Sequence, residues 1–177
     1  EEVGSATNSP YAQSKQRARA AVAHARETHG LHASTATLHN HESPLRPTRF
    51  VTRKISRAAA EIAMGTCDHV TLGNLDVTRD WGFAGDYVDA MCRMVELDEP
   101  TDLVIATGVN HTLHDLLDTA FKAAGLSDVA AYVTHDTALL RPADAATLEA
   151  DISETVTVLG WAPTVELNQV IQHTVQT

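Results

Sequence analysis

Tyr11 and Lys15 stand four residues apart in the run Ser9-Pro10-Tyr11-Ala12-Gln13-Ser14-Lys15. On a helix that spacing brings both side chains out on one face, a turn apart. An ammonium beside a phenol favours the phenolate, which makes a tyrosine usable for proton transfer near neutral pH. By itself such a pair is more often a helix-start tyrosine with its hydroxyl in water and a solvated lysine. Other candidates come from the ten histidines. His39, His41 and Glu42 make one cluster in sequence, and His111 with His114 another. Neither has cysteines or a carboxylate frame at ligand spacing, so no metal is expected. Arg53, Lys54 and Arg57 lie in one helical stretch, where such a run ordinarily forms a solvated face. Trp81 and Trp161 are expected in the core.

The elements that must position these residues alternate between helix and strand. A helix is expected from Ser9 to Gly30, with Ser9 as cap, Pro10 in the first turn and Gly30 as stop. Leu31 to Leu38 reads as a short strand. His39 to Arg49 carries Pro44 and Pro47 and predicts no regular structure. Phe50 to Met64 has helical period, with Phe50, Ile55, Ala58 or Ala59 and Ile62 on one side and Gly65 at the stop. Val70 to Leu72 predicts a strand ending at Gly73-Asn74. A helix follows over about Ala84 to Leu97, then a buried parallel strand over Leu103 to Ala106. Thr112 and Asp115 have the spacing of a capping box for a helix through Ala124, closed by Gly125. Ala130 to Val133 reads as a strand and Val165 to Val175 as a helix. Ser153 to Leu159 stays open, because Thr155, Val156, Thr157 and Val158 favour a strand in helical surroundings. The class expected is α/β.

With 177 residues, 44% hydrophobic and 20% charged, the chain has the size and composition of about one globular domain. Its 13 Lys and Arg against 23 Asp and Glu give a formal charge of -10, which repels nucleic-acid backbones. Cys67 and Cys92 form no disulfide framework and fit a reducing cytoplasm. No apolar run approaches the ~18 residues of a membrane helix, and no signal-peptide pattern is present, so a soluble, cytoplasmic protein is expected. A dinucleotide-binding half opens with a strand, a glycine-rich turn and a helix, and no such glycine cluster stands in this sequence.

Several segments in order carry a resemblance: Ser9-Pro10-Tyr11 with Lys15, Asn40-His41-Glu42-Ser43-Pro44, Phe50-Val51-Thr52-Arg53-Lys54-Ile55, Leu72-Gly73-Asn74-Leu75-Asp76, Arg79-Asp80-Trp81-Gly82 and Asp86-Tyr87-Val88. Val104 to Gly108, Arg141-Pro142 and Leu159-Gly160-Trp161 extend it over almost the whole chain. The sequence resembles the GDP-mannose 4,6-dehydratases, nucleotide-sugar enzymes of the extended short-chain dehydrogenase/reductase class. The resemblance implies the C-terminal half or so of that family's length. Residues 1 to 40 would close a Rossmann-type domain, and 41 to 177 would be mainly substrate-binding, with about 66–75 and 98–110 returning to the main sheet.

It also implies roles. Tyr11 matches the catalytic tyrosine, and Lys15 the lysine that tunes it and binds the cofactor. His41 and Arg46 match NADP contacts, Arg46 on a loop that reaches a neighbouring subunit. Asn40, Lys54, Arg79 and Arg141 match positions that hold GDP-mannose, and Asp144 stands where the family has a glutamate in the same segment. Guanidinium groups suit the diphosphate because their planar donors pair bidentately with its oxygens. Further departures are Leu45 and Gly85, where arginines are usual, and Phe83, where a histidine is usual. Leu45 removes one contact from the intersubunit loop. The family's hydroxyl residue and glutamate before the tyrosine are not assigned, since Glu1 and Glu2 stand closer to Tyr11 than the pattern allows.

The implied reaction turns GDP-mannose into GDP-4-keto-6-deoxymannose by internal hydride transfer through NADP, in a homo-oligomer, dimer or tetramer. The 177 residues alone would be inactive. Two other readings stay open: a non-catalytic nucleotide-sugar-binding module, and another nucleotide-sugar dehydratase or epimerase.

Overall fold

The computed structural model describes residues 9–139 and 149–176. Helix α1 runs Pro10–His29, with the Ser9 hydroxyl accepting from Ala12 N–H and Gly30 at φ 60°, a left-handed stop. It is followed by β1 (Ala36–Leu38), β2 (Asn40–Glu42), α2 (Val51–Ala63), β3 (Val70–Leu72), β4 (Thr78–Phe83) and α3 (Ala84–Val95). Then come β5 (Leu103–Ile105), β6 (Asn110–Thr112), α4 (Leu113–Ala123), β7 (Val133–His135), α5 (Ser153–Leu159) and α6 (Leu167–Val175). The α/β class is as expected.

The strands make three small sheets. β1 pairs parallel with β5, β3 pairs parallel with β7, and β4 lies between a parallel β2 and an antiparallel β6. Two cores result. In one, Ile55, Ala59 and Ile62 of α2 meet Leu116, Leu117 and Phe121 of α4, Ile171 of α6, and the β3 residues Val70 and Leu72. In the other, Tyr87, Ala90 and Met94 of α3 pack with Leu103 and Ile105 of β5 and with Leu159 and Trp161. Trp81 lies in the first core, so both tryptophans are buried as expected.

Several local expectations are corrected. The stretch from His39 to Arg49 contains β2, because β4 supplies a register partner that its own prolines and polar residues do not announce. The strand over Leu31 to Leu38 shrinks to β1, and the strand near Ala130 begins only at Val133, after a 3-10 turn over Val129–Tyr132. Ser153–Leu159 is helical despite its β-branched run, with Thr155 buried and donating to the Val104 carbonyl at 2.6 Å. The Thr112/Asp115 capping box forms. Of the basic run on α2, Arg57 pairs outward with Glu61 at 2.7 Å. Arg53 instead donates to the Thr174 carbonyl and Lys54 to the Thr71 carbonyl, at 2.6 Å for the latter.

No residue of α1 is buried. Arg26 ties this helix to the β1–β5 pair: its Nε donates to the Ala33 carbonyl at 2.9 Å, and its guanidinium pairs with Asp102, which also accepts from Thr35 N–H at 2.8 Å. Burial pushes the Asp102 carboxyl up, but the Arg26 and Thr35 hydrogen bonds outweigh it and hold the group below the ordinary aspartate range. Its contribution is therefore complete above that range and lost as pH falls through the lowered value. Asp102→Asn should cost about 1 kcal/mol at neutral pH, with a smaller gap from wild type in acid, measured by urea midpoints. Hydrogen exchange should quicken first in α1.

Candidate functional site

The predicted residues fall in three places. Tyr11 is 72% exposed, and the Lys15 ammonium sits 5.6 Å from its ring centroid, so the helical spacing does bring the pair together on the open face of α1. Asn40 and His41 lie on β2 and Arg79 on the neighbouring strand β4. The Asn40 side-chain amide donates to the Asp80 carbonyl at 3.4 Å, next to Arg79, whose guanidinium reaches the Thr78 carbonyl at 2.7 Å. Lys54 lies apart, its ammonium on β3, with two further donor positions beyond the Thr71 bond. Arg141 and Asp144 lie outside the described residues, as do Glu1 and Glu2.

Arg46 follows the β2 end. Its guanidinium lies 3.7 Å from the Phe50 ring centroid, and its Nε is 3.4 Å from Glu42 Oε2. Glu42 is 2% exposed and accepts from the Thr52 hydroxyl at 2.6 Å. Burial pushes its carboxyl above the ordinary glutamate range, against the Thr52 hydrogen bond and the charges of Arg46 and His41, which pull it down.

Three acidic or phenolic side chains that carried no assigned role turn out to organise the region. Asp80 is 1% exposed and accepts from Thr107 N–H at 3.0 Å, the Thr107 hydroxyl at 2.8 Å and Gly108 N–H at 2.7 Å. Asp86, in the first turn of α3, accepts from Thr164 N–H at 2.8 Å, the Thr164 hydroxyl at 2.7 Å and Val165 N–H at 3.0 Å. Tyr87 is buried beside His41. The signal available in sequence was their place in Arg79-Asp80-Trp81-Gly82 and Asp86-Tyr87-Val88, which gives identity but not partners.

A cavity of about 300 Å³ opens at the carboxyl ends of the parallel pair β3 and β7, lined by residues including Gly73, Asn74, His114, His135 and Asp136. Crevices at such strand ends take ligands in open α/β sheets. Neither Tyr11 nor Lys15 lines it. The His39/His41/Glu42 and His111/His114 clusters do not close into a metal cage: among the described residues no three His, Cys, Asp or Glu side chains converge. Among them, too, no helix is long and apolar enough to cross a membrane.

A profile of the GDP-mannose 4,6 dehydratase family matches residues 1–174. The chain belongs to that family. It is 44% identical over 164 residues to GDP-mannose 4,6 dehydratase 2 of Arabidopsis thaliana, covering 93% of this chain and 44% of that one. With the GDP-mannose 4,6 dehydratase of Cricetulus griseus it shares 39% identity, covering 95% of this chain and 50% of the relative. The chain thus spans about half the length of the curated relatives it matches. Among solved structures, RMD from Pseudomonas aeruginosa complexed with NADPH superposes with a TM-score of 0.85 at 21% identity, covering 94% of this chain and 54% of that one. That likeness shows the fold, which is the extended short-chain dehydrogenase/reductase fold expected from the motifs.

Two outcomes test the electrostatics. Asp80→Asn should lower stability by about 3 kcal/mol, because it swaps one acceptor oxygen for an amide that faces buried donors; the urea midpoint measures it. Glu42 works in the opposite pH sense from Asp102. With its folded value raised above 4.5, its stability contribution is full below 4.5 and declines as pH rises through the raised value. Glu42→Gln should remove that decline from the stability profile while Thr52 still finds an acceptor.

Proposed function

We propose that this chain is the tyrosine-bearing, sugar-nucleotide-binding part of a GDP-mannose 4,6-dehydratase that uses NADP, a lyase of deoxysugar biosynthesis. The observation that carries the reading is the Tyr11–Lys15 pair on one face of α1, in a chain whose family is fixed over residues 1–174. In this reading Tyr11 accepts the proton of the C4 hydroxyl of GDP-mannose. The Lys15 ammonium favours the negative charge on the phenol oxygen before that transfer. Asn40, Lys54 and Arg79 hold the GDP end, together with Arg141 and Asp144, and their donors suit diphosphate and ribose oxygens. The product is GDP-4-keto-6-deoxymannose, with water lost from C6.

Donors and acceptors of these types suit the nicotinamide-ribose end of a dinucleotide. Lys15 offers an ammonium to ribose hydroxyls, and the His41 ring has one nitrogen committed to the His39 carbonyl at 2.9 Å and the other without a hydrogen bond among the described residues. Arg46 is the third residue assigned to the cofactor. When bound, the nicotinamide supplies reversible hydride acceptance. The same reading makes the protein a cytoplasmic homo-oligomer, with Cys67 and Cys92 as free thiols. In the same reading residues 1–40 close the cofactor-binding domain and 41–177 are mainly substrate-binding, with β5, from the segment about 98–110, pairing with β1. β3, which pairs with β7, goes with the substrate side.

In the complete protein, Tyr11→Phe should lower GDP-mannose turnover about a hundredfold or more while leaving GDP-mannose binding in place. Near-normal turnover would overturn the assignment, and a product other than the 4-keto-6-deoxy sugar would point to a different nucleotide-sugar enzyme. The 177-residue chain by itself should be inactive and should bind GDP-mannose more tightly than NADP in calorimetric titration, since its sequence holds no glycine-rich turn to receive a pyrophosphate. Tight NADP binding by that chain would count against this division of labour.

A further inference from the structure

His41 and Gly82 are register partners on the parallel strands β2 and β4. The space that a side chain at Gly82 would fill belongs to Tyr87. A Cβ there would lie 2.5 Å from Tyr87 Cε2, 2.9 Å from its hydroxyl oxygen and 2.8 Å from Thr107 Cγ2. The Tyr87 ring also reaches the His41 ring, with centroids 5.5 Å apart and planes at 42°. The His41 Nδ1 lies 2.9 Å from the His39 carbonyl oxygen. A carbonyl only accepts, so Nδ1 carries the proton and, in the neutral ring, Nε2 is left as an acceptor.

We propose that Tyr87, admitted by the bare backbone of Gly82, is a positioning residue that holds His41 with its proton on Nδ1. His41 Nε2 then accepts a hydrogen bond from an amide or hydroxyl donor of the nicotinamide cofactor. This rests on the reading of His41 as a cofactor contact. The work is done by the ring and not by the hydroxyl. Tyr87 is 1% exposed, and its hydroxyl has no hydrogen-bond partner among the described residues. Burial first, then the charges of Asp80, Asp86 and Glu42, hold its phenol far above the ordinary tyrosine range. It is therefore no second acid/base beside Tyr11. A ring locked between a carbonyl and an aromatic face presents one nitrogen in one direction, whereas an unsupported histidine would exchange tautomers and rotamers.

Nitrogen-15 spectra of the protein without cofactor read the His41 tautomer directly. The expected result is the Nδ1–H form in wild type and in Tyr87→Phe, which keeps the ring. Tyr87→Leu should shift His41 toward the Nε2–H form and, in the complete protein, weaken NADPH binding about tenfold, the scale of losing an orienting partner at other histidine sites. Gly82→Ala, which pushes the ring away by a different route, should give the same spectral change and keeps the test decisive if Tyr87→Leu does not fold. The Nε2–H tautomer in wild type would overturn the proposal, as would a folded Tyr87→Leu or Gly82→Ala with unchanged His41 signals. If His41→Ala leaves NADPH affinity unchanged while the tautomer responds as described, the reading of His41 as a cofactor contact fails, and the ligand named here falls with it.

Discussion

The buried carboxylate of Asp80 is the junction on which the rest of the arrangement depends. It sits in β4, whose register with β2 on one side and β6 on the other fixes the central three-stranded sheet. Its side chain takes the N–H groups of Thr107 and Gly108 and the Thr107 hydroxyl, which turns the chain from the end of β5 toward β6. β5 belongs to the core around α3, while β6 leads into α4 in the other core. One fully buried anion with all its bonds satisfied thus links the two halves of the packing. Such a group cannot be half-satisfied, because an unmet acceptor or donor at this depth costs more than the bond contributes.

The candidate site inherits its geometry from that junction. Asn40 leans on the Asp80 carbonyl, Arg79 is its chain neighbour, and His41 lies opposite Gly82, two residues further along the same strand. Asp86 then anchors the start of α3 to Thr164 and Val165, so Tyr87, the next residue, has little freedom to leave the His41 ring. Glu42, at the end of β2, holds Thr52 of α2 and faces Arg46. These polar contacts run through β2, β4 and the starts of α2 and α3. They tie together segments that lie far apart in the sequence.

Much of this architecture was legible in the residues. α1 was bounded by Ser9 and Gly30, α2 by its apolar period, and the Thr112/Asp115 box by its spacing, all local signals with local causes. β2 and β6 were not legible, because three-residue strands such as Asn40–Glu42 carry no period and exist only through their partner β4, itself six residues without a regular apolar alternation. The helix at Ser153–Leu159 resisted reading for a related reason: its β-branched residues argue locally for a strand, and burial of Thr155 on the Val104 carbonyl decides otherwise. In the site, the motif spelled out Tyr11, Lys15, Asn40 and His41 but not what Asp80, Asp86 or Tyr87 touch. Lys54 and Arg53 looked like a solvated face, and their carbonyl partners on β3 and α6 lie too far along the chain to be anticipated.

The open setting of Tyr11 bears on how the chemistry can work. Two unit charges 4 Å apart interact by about 1 kcal/mol in bulk water and by about 4 kcal/mol at an effective dielectric of 20. Tyr11 is 72% exposed and α1 buries none of its residues, so the pair lies on the water side, where charges are most strongly screened. Ligands that displace water from this face move the pair toward the stronger interaction. Under the function we propose, substrate placement and activation of the tyrosine would be one event, since a sugar bound against this face would also remove the solvent that screens the lysine. In that proposal the β2–β4 frame would carry the polar positioning, and the α1 pair would gain its strength when a ligand is bound against it.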